Sequence, residues 1–132
     1  MDDVHVQVEV DVNPTEDSSK VRLAVENVFG SLKFDERPQP KGSLLLGQSL
    51  GKDSLAHFGN LLRRERIRAA ARAVLSRGRR GKIIAFCLNK QVAFAGHVSF
   101  CEPVAESPLG PIRAEIICGN PSEIIDFLAP RT

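Results

Sequence analysis

The sequence predicts an α+β fold in which helices pack on one face of a mixed, largely antiparallel sheet. Valine occupies positions 4, 6, 8, 10 and 12, with polar residues between them. This alternation places all these valines on one face of a strand, so the strand is expected to be buried on that side only. Segments with helical spacing and short strand-forming runs follow along the chain. Together these patterns are typical of a two-layer domain.

A helix is predicted over residues 15–29, and two short strands follow it. Thr15 can cap this helix and Gly30 can end it, while apolar residues recur between them at helical spacing. The next apolar runs predict strands at residues 32–34 and 44–46, on either side of a proline-rich break.

Residues 53–77 are predicted to form two helices or one kinked helix, with Asp53 as the cap and Gly78 at the end. The apolar stripes that contain Leu62 and Ile67 are about 140° out of phase, so the helix should break near Arg63 to Arg66. The sequence then predicts strands at residues 82–88, 97–101 and 111–118, a turn at residues 106–111 and a helix at residues 121–128.

Positive charge is concentrated in one segment. Residues 63–82 carry nine of the eighteen Lys and Arg residues and one acid, so this segment is +8 in a chain of net charge +2. Clustered positive charge on an otherwise acidic chain is typical of proteins that bind a polyanion. The candidate RNA contacts are Arg63, Arg64, Arg66, Arg68, Arg72, Arg77, Arg79, Arg80 and Lys82, together with Lys90.

The two halves of this basic segment have different explanations. The helical arginines flank an apolar stripe, where their stems can cover apolar surface and leave the guanidinium in water. The turn from Arg77 to Lys82 holds four cations and two glycines in six residues, which is more charge than a helix end requires. We therefore expect RNA contact mainly at this turn, through the phosphate backbone.

The aromatic content predicts which form of RNA is bound. The chain has no Trp and no Tyr, and its seven Phe residues mostly occupy expected core positions. Proteins that bind single strands usually stack bases on exposed aromatic side chains. Structured RNA, contacted through phosphates and 2′-hydroxyls, is therefore the expected partner.

No catalytic or metal-binding motif is visible. The histidines, His5, His57 and His97, lack a local catalytic partner, and the cysteines, Cys87, Cys101 and Cys118, lack metal-ligand spacing and are expected to be buried thiols. We predict no enzymatic activity, metal or other cofactor, although a hydrolase site assembled in space stays open. Residues 1–132 are expected to form one domain of a cytoplasmic protein with no membrane-spanning segment.

Several separated blocks of this chain form a recognisable pattern: residues 12–17 with 20–21, 61–67 with 71–72, 88–94, 107–112 and 127–132. In these blocks the chain resembles an uncharacterised archaeal protein family. That family carries an RNA-binding label and resembles, in fold, a ribosomal protein of the large subunit that binds the small ribosomal RNA there. The resemblance implies an archaeal cytoplasmic protein with helices on one side of a mixed sheet, and it implies no catalytic residue or cofactor.

Two functions are open besides that of a hydrolase. The first is a non-enzymatic RNA-binding protein of translation or RNA processing. The second is an interaction module in which the basic segment of one subunit pairs with an acidic surface of another to form a homodimer that ignores RNA. The acids expected in that contact are Asp2, Asp3, Glu9 and Asp11.

Overall fold

The computed structural model describes residues 4–101 and 110–131, and its strands form one sheet. The strands are β1 (His5–Val12), β2 (Lys33–Pro38), β3 (Ser43–Leu50), β4 (Arg79–Arg80), β5 (Ile83–Asn89), β6 (Phe100–Cys101) and β7 (Pro111–Ile117). The helices are α1 (Ser18–Phe29), α2 (Asp53–Arg64), α3 (Arg68–Arg77), α4 (Lys90–Phe94) and α5 (Pro121–Leu128).

Strand β1 lies in the middle of the sheet. The strand order is β2, β3, β1, β7, β5 and β4, and β6 also pairs with β5. Every pairing among the described strands is antiparallel. The described part of the sheet is therefore antiparallel rather than mixed. The predicted α+β class, with helices packed on one face of the sheet, is confirmed.

The valines of β1 form the floor of the core, as their alternation predicts. Val4, Val6, Val8, Val10 and Val12 are at most 4% exposed, and buried apolar residues from all five helices pack in the same apolar cluster. Phe58 of α2 stacks on Phe86 of β5 with ring centroids 5.4 Å apart. This aromatic contact fixes α2 over the sheet.

Two helix starts differ from those that the sequence predicts. Helix α1 begins at Ser18, and Asp17 rather than Thr15 caps it by accepting a 2.9 Å hydrogen bond from the backbone N–H of Ser19. Helix α2 begins at Asp53 itself, so Asp53 lies in the first turn instead of capping it. Each acid still complements the positive end of its helix. The helices were therefore predictable, while their first residues were not.

Strands β2 and β3 extend beyond the predicted runs 32–34 and 44–46. β3 continues through Gly47 because it pairs with β1 along its whole length. Gly47 also leaves room for β2, since a Cβ there would lie 3.0 Å from the ring of Phe34. The outer strands are charged or short: β2 has the sequence KFDERP and β4 has two residues. These features are typical of protected sheet edges.

Lys90 is buried, which contradicts the expectation that it contacts RNA. It is 2% exposed and is the first residue of α4, a helix that the sequence does not predict. Its Nζ donates to the backbone oxygen of Asp11 at 2.7 Å and to Oε1 of Glu16 at 3.1 Å. Glu16 also accepts hydrogen bonds from the backbone and side chain of Asn13. Lys90 therefore has a structural role.

Two further predictions fall near the undescribed part of the chain. The strand predicted at 97–101 is shorter, since only Phe100–Cys101 pairs with β5. The turn predicted at 106–111 lies outside the described residues apart from its last two positions. No described helix combines the length and hydrophobicity that a bilayer-spanning segment requires.

Gly78→Ala is expected to destabilise the protein by about 2 kcal/mol or more. A Cβ at Gly78 would lie 1.9 Å from the backbone oxygen of Ala85, so α3 would have to move away from β5. Gly119→Ala is the matched control, because a Cβ there meets no atom within 4 Å. Urea unfolding of both variants measures the difference, and equal losses of stability would contradict the close approach of Gly78 to β5.

The buried ion pair makes stability sensitive to acid. Burial alone would raise the pKa of Glu16, but hydrogen bonds from Asn13 and Lys90 outweigh it and lower this pKa from its ordinary value of 4.5. The ionised carboxylate therefore stabilises the fold above the unfolded-state pKa, and this stabilisation is lost as the pH falls through the folded-state pKa. Glu16→Gln should be less stable than the wild type near pH 7, and the difference should narrow as the pH falls through the folded-state pKa of Glu16. Urea unfolding as a function of pH measures this, and a pH-independent difference would contradict it.

Candidate nucleic-acid interface

The basic segment bends where the sequence predicts a break. Helix α2 ends at Arg64, and the N–H groups of Arg66 and Ile67 donate to the backbone oxygens of Arg63 and Leu62 at 3.1 and 3.2 Å. These two bonds are the pattern of a Schellman motif, in which the chain leaves the helix through one left-handed residue. That residue is Arg66, whose φ is 59°.

An arginine is an unfavourable choice for this left-handed position. Glycine usually occupies it, because a residue with a Cβ loses about 1–2 kcal/mol in that conformation. The neighbouring Ile67 packs against the core, but Arg66 is exposed and forms no side-chain hydrogen bond or ion pair with the described residues. The bend explains the backbone conformation of Arg66, but it does not explain why this position carries an exposed arginine side chain.

Arg64 and Arg68 flank the bend. Arg64 lies in the last turn of α2, where a cation complements the helix dipole. Arg68 is the first residue of α3, whose first turn contains no acid and whose cap makes no side-chain hydrogen bond. A cation at this positive end is unfavourable. Neither guanidinium is bonded to another described residue, so the fold accounts for Arg64 but not for Arg68.

The one acid of the bend is used to hold it in place. Oε1 of Glu65 lies 2.7 Å from Nδ1 of His97 and accepts a 3.4 Å hydrogen bond from the backbone N–H of Val98. This contact joins the bend to the segment before β6. The sequence did not indicate the His97–Glu65 pair, because the two residues are 32 positions apart.

The basic turn is a β-hairpin. Arg79 and Arg80 form β4 and pair with Ile84 and Ile83 across a two-residue loop, in which Gly81 has a φ of 60°. Nη1 of Arg79 donates to Oγ of Ser122 at 2.7 Å. Nη1 of Arg80 donates to the backbone oxygens of Arg77 and Arg79 at 3.0 and 2.8 Å. Arg80 therefore caps the end of α3.

These contacts change the relative importance of the candidates. Packing was expected to explain the helical arginines and not the turn, yet Arg79 and Arg80 have structural partners. Arg77 and Lys82 are exposed, and their side chains form no hydrogen bond or ion pair with the described residues. Arg77 and Arg80 also line a groove of about 800 Å³ that reaches the open face of the sheet. Within the turn, the strongest candidates are therefore Arg77 and Lys82.

Arg72 connects two helices. Its Nη1 lies 2.7 Å from Oδ1 of Asp126 and donates to the backbone oxygen of Ala129 at 3.0 Å. The side chain is 23% exposed. Packing therefore explains Arg72, as expected for arginines beside the apolar stripe, and Arg72 becomes a weaker candidate for RNA contact.

Two adjoining grooves lie beside residues 127–131, one against α2 and the other against α3. The first, of about 190 Å³, is lined by Arg63 and Arg68, and the second, of about 480 Å³, by Arg72 and Arg131. Pro130 lines both grooves, so together they form a basic depression along α3. Sequence reasoning did not select Arg131, because only the fold brings the last residues of the chain beside α3.

The acids expected in a subunit contact are partly engaged within the chain. Arg113 of β7 donates to Oε1 of Glu9 at 3.1 Å and to Oδ2 of Asp11 at 3.3 Å. The other two acids, Asp2 and Asp3, lie outside the described residues.

The described residues contain no cluster of side chains that could hold a metal ion. Cys87 and Cys118 are buried, as expected, while Cys101 is half-buried. Burial raises the pKa of the Cys118 thiol. A thiol with a raised pKa is a poor nucleophile near neutral pH.

The sequence and the fold have clear relatives. A family model described as RNA binding matches residues 5–116. A UPF0201 protein of Pyrobaculum aerophilum is 40% identical over 98% of this chain and 91% of its own length. A UPF0201 protein of Sulfurisphaera tokodaii is 41% identical over 95% of this chain and 86% of its own length. A solved UPF0201 structure from Methanococcus jannaschii has a TM-score of 0.84 and 32% identity, and the match covers 97% of this chain and 94% of that one.

The matching family model places this α+β chain in a class of proteins that is described as RNA binding. Within this class, the chain belongs to the archaeal UPF0201 family, which confirms the resemblance to an archaeal family. A DUF54 protein from Methanothermobacter thermautotrophicus shares the fold, with a TM-score of 0.63 and 17% identity over 94% of this chain and 96% of that one. The likeness to a large-subunit ribosomal protein stays a prediction.

Arg66→Gly is expected to stabilise the protein by about 1 kcal/mol, because glycine adopts the left-handed conformation without a steric penalty. Arg64→Gly is the control: Arg64 is helical, so glycine there should destabilise by about 1 kcal/mol. Urea unfolding of the two variants measures both changes. A loss of stability in Arg66→Gly would mean that the Arg66 side chain contributes to the fold.

Proposed function

We propose that this protein is a non-enzymatic RNA-binding protein of archaeal translation or RNA processing that contacts the backbone of structured RNA. The observation that carries this proposal is the cluster of basic side chains within residues 63–82 that reach solvent and bond to no other described residue. These unpartnered cations form two groups: Arg64, Arg66 and Arg68 before and at the start of α3, and Arg77 and Lys82 at and beyond its end.

The spacing of the two groups suits an extended polyanion. Helix α3 has 10 residues, which corresponds to about 15 Å between its ends. The groups are therefore too far apart to bind one phosphate, and they would contact separate phosphates of a folded RNA. The basic depression lined by Arg63, Arg72 and Arg131 lies between them and extends the positive surface.

The placement of the arginines supports a functional role. Arg66 occupies a left-handed position and Arg68 a positive helix end, and both choices oppose folding locally. Residues that break local rules without a compensating contact are concentrated at functional sites. The planar guanidinium binds phosphate through two parallel hydrogen bonds, and the matching family description favours RNA over other polyanions.

The described contacts give less support to the competing functions. A charge-paired homodimer would use Glu9 and Asp11, but Arg113 already bonds to both. A hydrolase would need a histidine and a carboxylate in a concave site. Among the described histidines, His97 bonds to a carboxylate, that of Glu65, and neither residue lines the grooves described above.

Neutralising four unpartnered cations should weaken RNA binding and reduce its salt dependence. The variant replaces Arg64, Arg66, Arg77 and Lys82 by Gln, and its control replaces Lys20, Lys33, Lys41 and Lys52, which are also exposed. Because each lost phosphate contact removes about 0.7–0.9 from the slope of log K against log salt, the slope should fall by about 3. Electrophoretic mobility shift with total cellular RNA at several salt concentrations measures both quantities.

The control variant carries the same net charge as the test variant, so it separates local contact from overall electrostatic attraction. Binding that is independent of salt, or equal losses in the two variants, would contradict the proposal. Thermal unfolding should show that both variants remain folded, since none of the replaced side chains has a bonding partner among the described residues.

A further inference from the structure

The smaller groove beside the bend contains an aromatic and an amide side chain, which contact with phosphate alone does not require. It lies between α2 and the end of α5 and has a volume of about 190 Å³. Its walls combine the ring of Phe127, the amide of Asn60 and the guanidinium groups of Arg63 and Arg68. No carboxylate lines it.

Phe127 is 40% exposed, although α5 buries Ile124, Ile125 and Leu128 in the core. A single exposed aromatic side chain needs no explanation by itself. This ring, however, lies in the wall of a groove that also holds two arginines and an amide. An aromatic face beside arginine planes is the combination on which proteins stack unpaired RNA bases.

The polar groups of this groove are partly pre-organised. Nη2 of Arg63 donates to Oδ1 of Asn60 at 2.9 Å, which holds both side chains in place. The amide nitrogen of Asn60 bonds to no other described residue. It is therefore a donor available to a ring nitrogen or carbonyl of a base.

The size of the groove selects a small, flat ligand. Pockets for whole drug-sized ligands have volumes of about 300–1,000 Å³, and this groove is smaller. Ala56 and Gly59 leave space on the α2 side, and Leu128 and Pro130 add apolar surface on the other. One heterocyclic ring system fits this description better than a complete nucleotide.

We propose that this groove holds one unpaired RNA base, with its face against Phe127 and its flanking phosphates near Arg63 and Arg68. The inference rests on the proposed function, and it adds that the preferred RNA contains a bulged or looped-out nucleotide. RNA is favoured over a protein ligand because the groove presents two cations and no acid, which matches a base flanked by phosphates.

The test compares a fully paired RNA hairpin with the same hairpin carrying one bulged adenine. Wild-type protein should bind the bulged hairpin about 5- to 150-fold more tightly, the range that stacking of one base contributes. Phe127→Leu and Phe127→Ala should remove this preference while leaving the affinity for the paired hairpin and its salt dependence unchanged. Phe94→Leu is the matched control, since Phe94 is 36% exposed on α4.

Gly59→Ala provides a second variant in case the replacement of Phe127 unfolds α5. A Cβ at Gly59 would lie 3.5 Å from Cδ2 of Leu128, an ordinary contact, so this variant should fold and narrow the groove. It is also expected to reduce the preference for the bulged hairpin. Fluorescence anisotropy measures all the affinities.

The outcomes separate the two proposals. Equal, salt-dependent binding of the two hairpins would overturn the base site and leave RNA binding intact. A preference for the bulge that survives both Phe127→Ala and Gly59→Ala would also overturn it, because the base would then bind elsewhere. Binding to neither hairpin would overturn the base site together with the proposed function. This is also the result expected if Phe127 contacts a protein ligand instead of RNA.

Discussion

The arrangement of the helical layer depends on the buried ammonium of Lys90. Its hydrogen bonds to the backbone of Asp11 and to Glu16 join the end of β1, the turn before α1 and the start of α4. Removing a charge from water is unfavourable unless hydrogen bonds replace its hydration. This pair is therefore stable only when those segments meet correctly, so it specifies how α1 and α4 pack. The hydrogen bond from Asn27 to the backbone oxygen of Ala93 continues the same contact.

The candidate interface contains two kinds of cation: those whose side chains bond to other residues of the fold and those whose side chains do not. Arg72 ties α3 to α5, Arg80 caps α3, and Glu65 anchors the bend to the segment before β6. These contacts hold the bend and the hairpin at fixed positions, so Arg66 and Lys82 can remain exposed without loss of order in the backbone. The bonded residues supply a rigid frame, and the unbonded residues supply the positive potential.

Local periodicity made part of this structure predictable from the sequence. The valines of β1 and the phase change between Leu62 and Ile67 are properties of neighbouring residues, so the first strand and the break between α2 and α3 could be predicted. The burial of Lys90 could not, because its partner Glu16 is 74 positions away and an isolated lysine is normally exposed. The groove at Phe127 was missed for the same reason: it exists only where α5 meets α2.

The edges of the sheet also affect how the protein behaves in concentrated solution. Strand β4 places two arginines along one edge, and the outer strand β2 ends at Pro38, which has no backbone donor. A second copy that added a strand at β4 would bring like charges together. Chain-to-chain sheet extension, the first step of fibre growth, is therefore disfavoured. Neutralising Arg79 and Arg80 would remove this protection, so such variants would aggregate more readily whether or not they bind RNA.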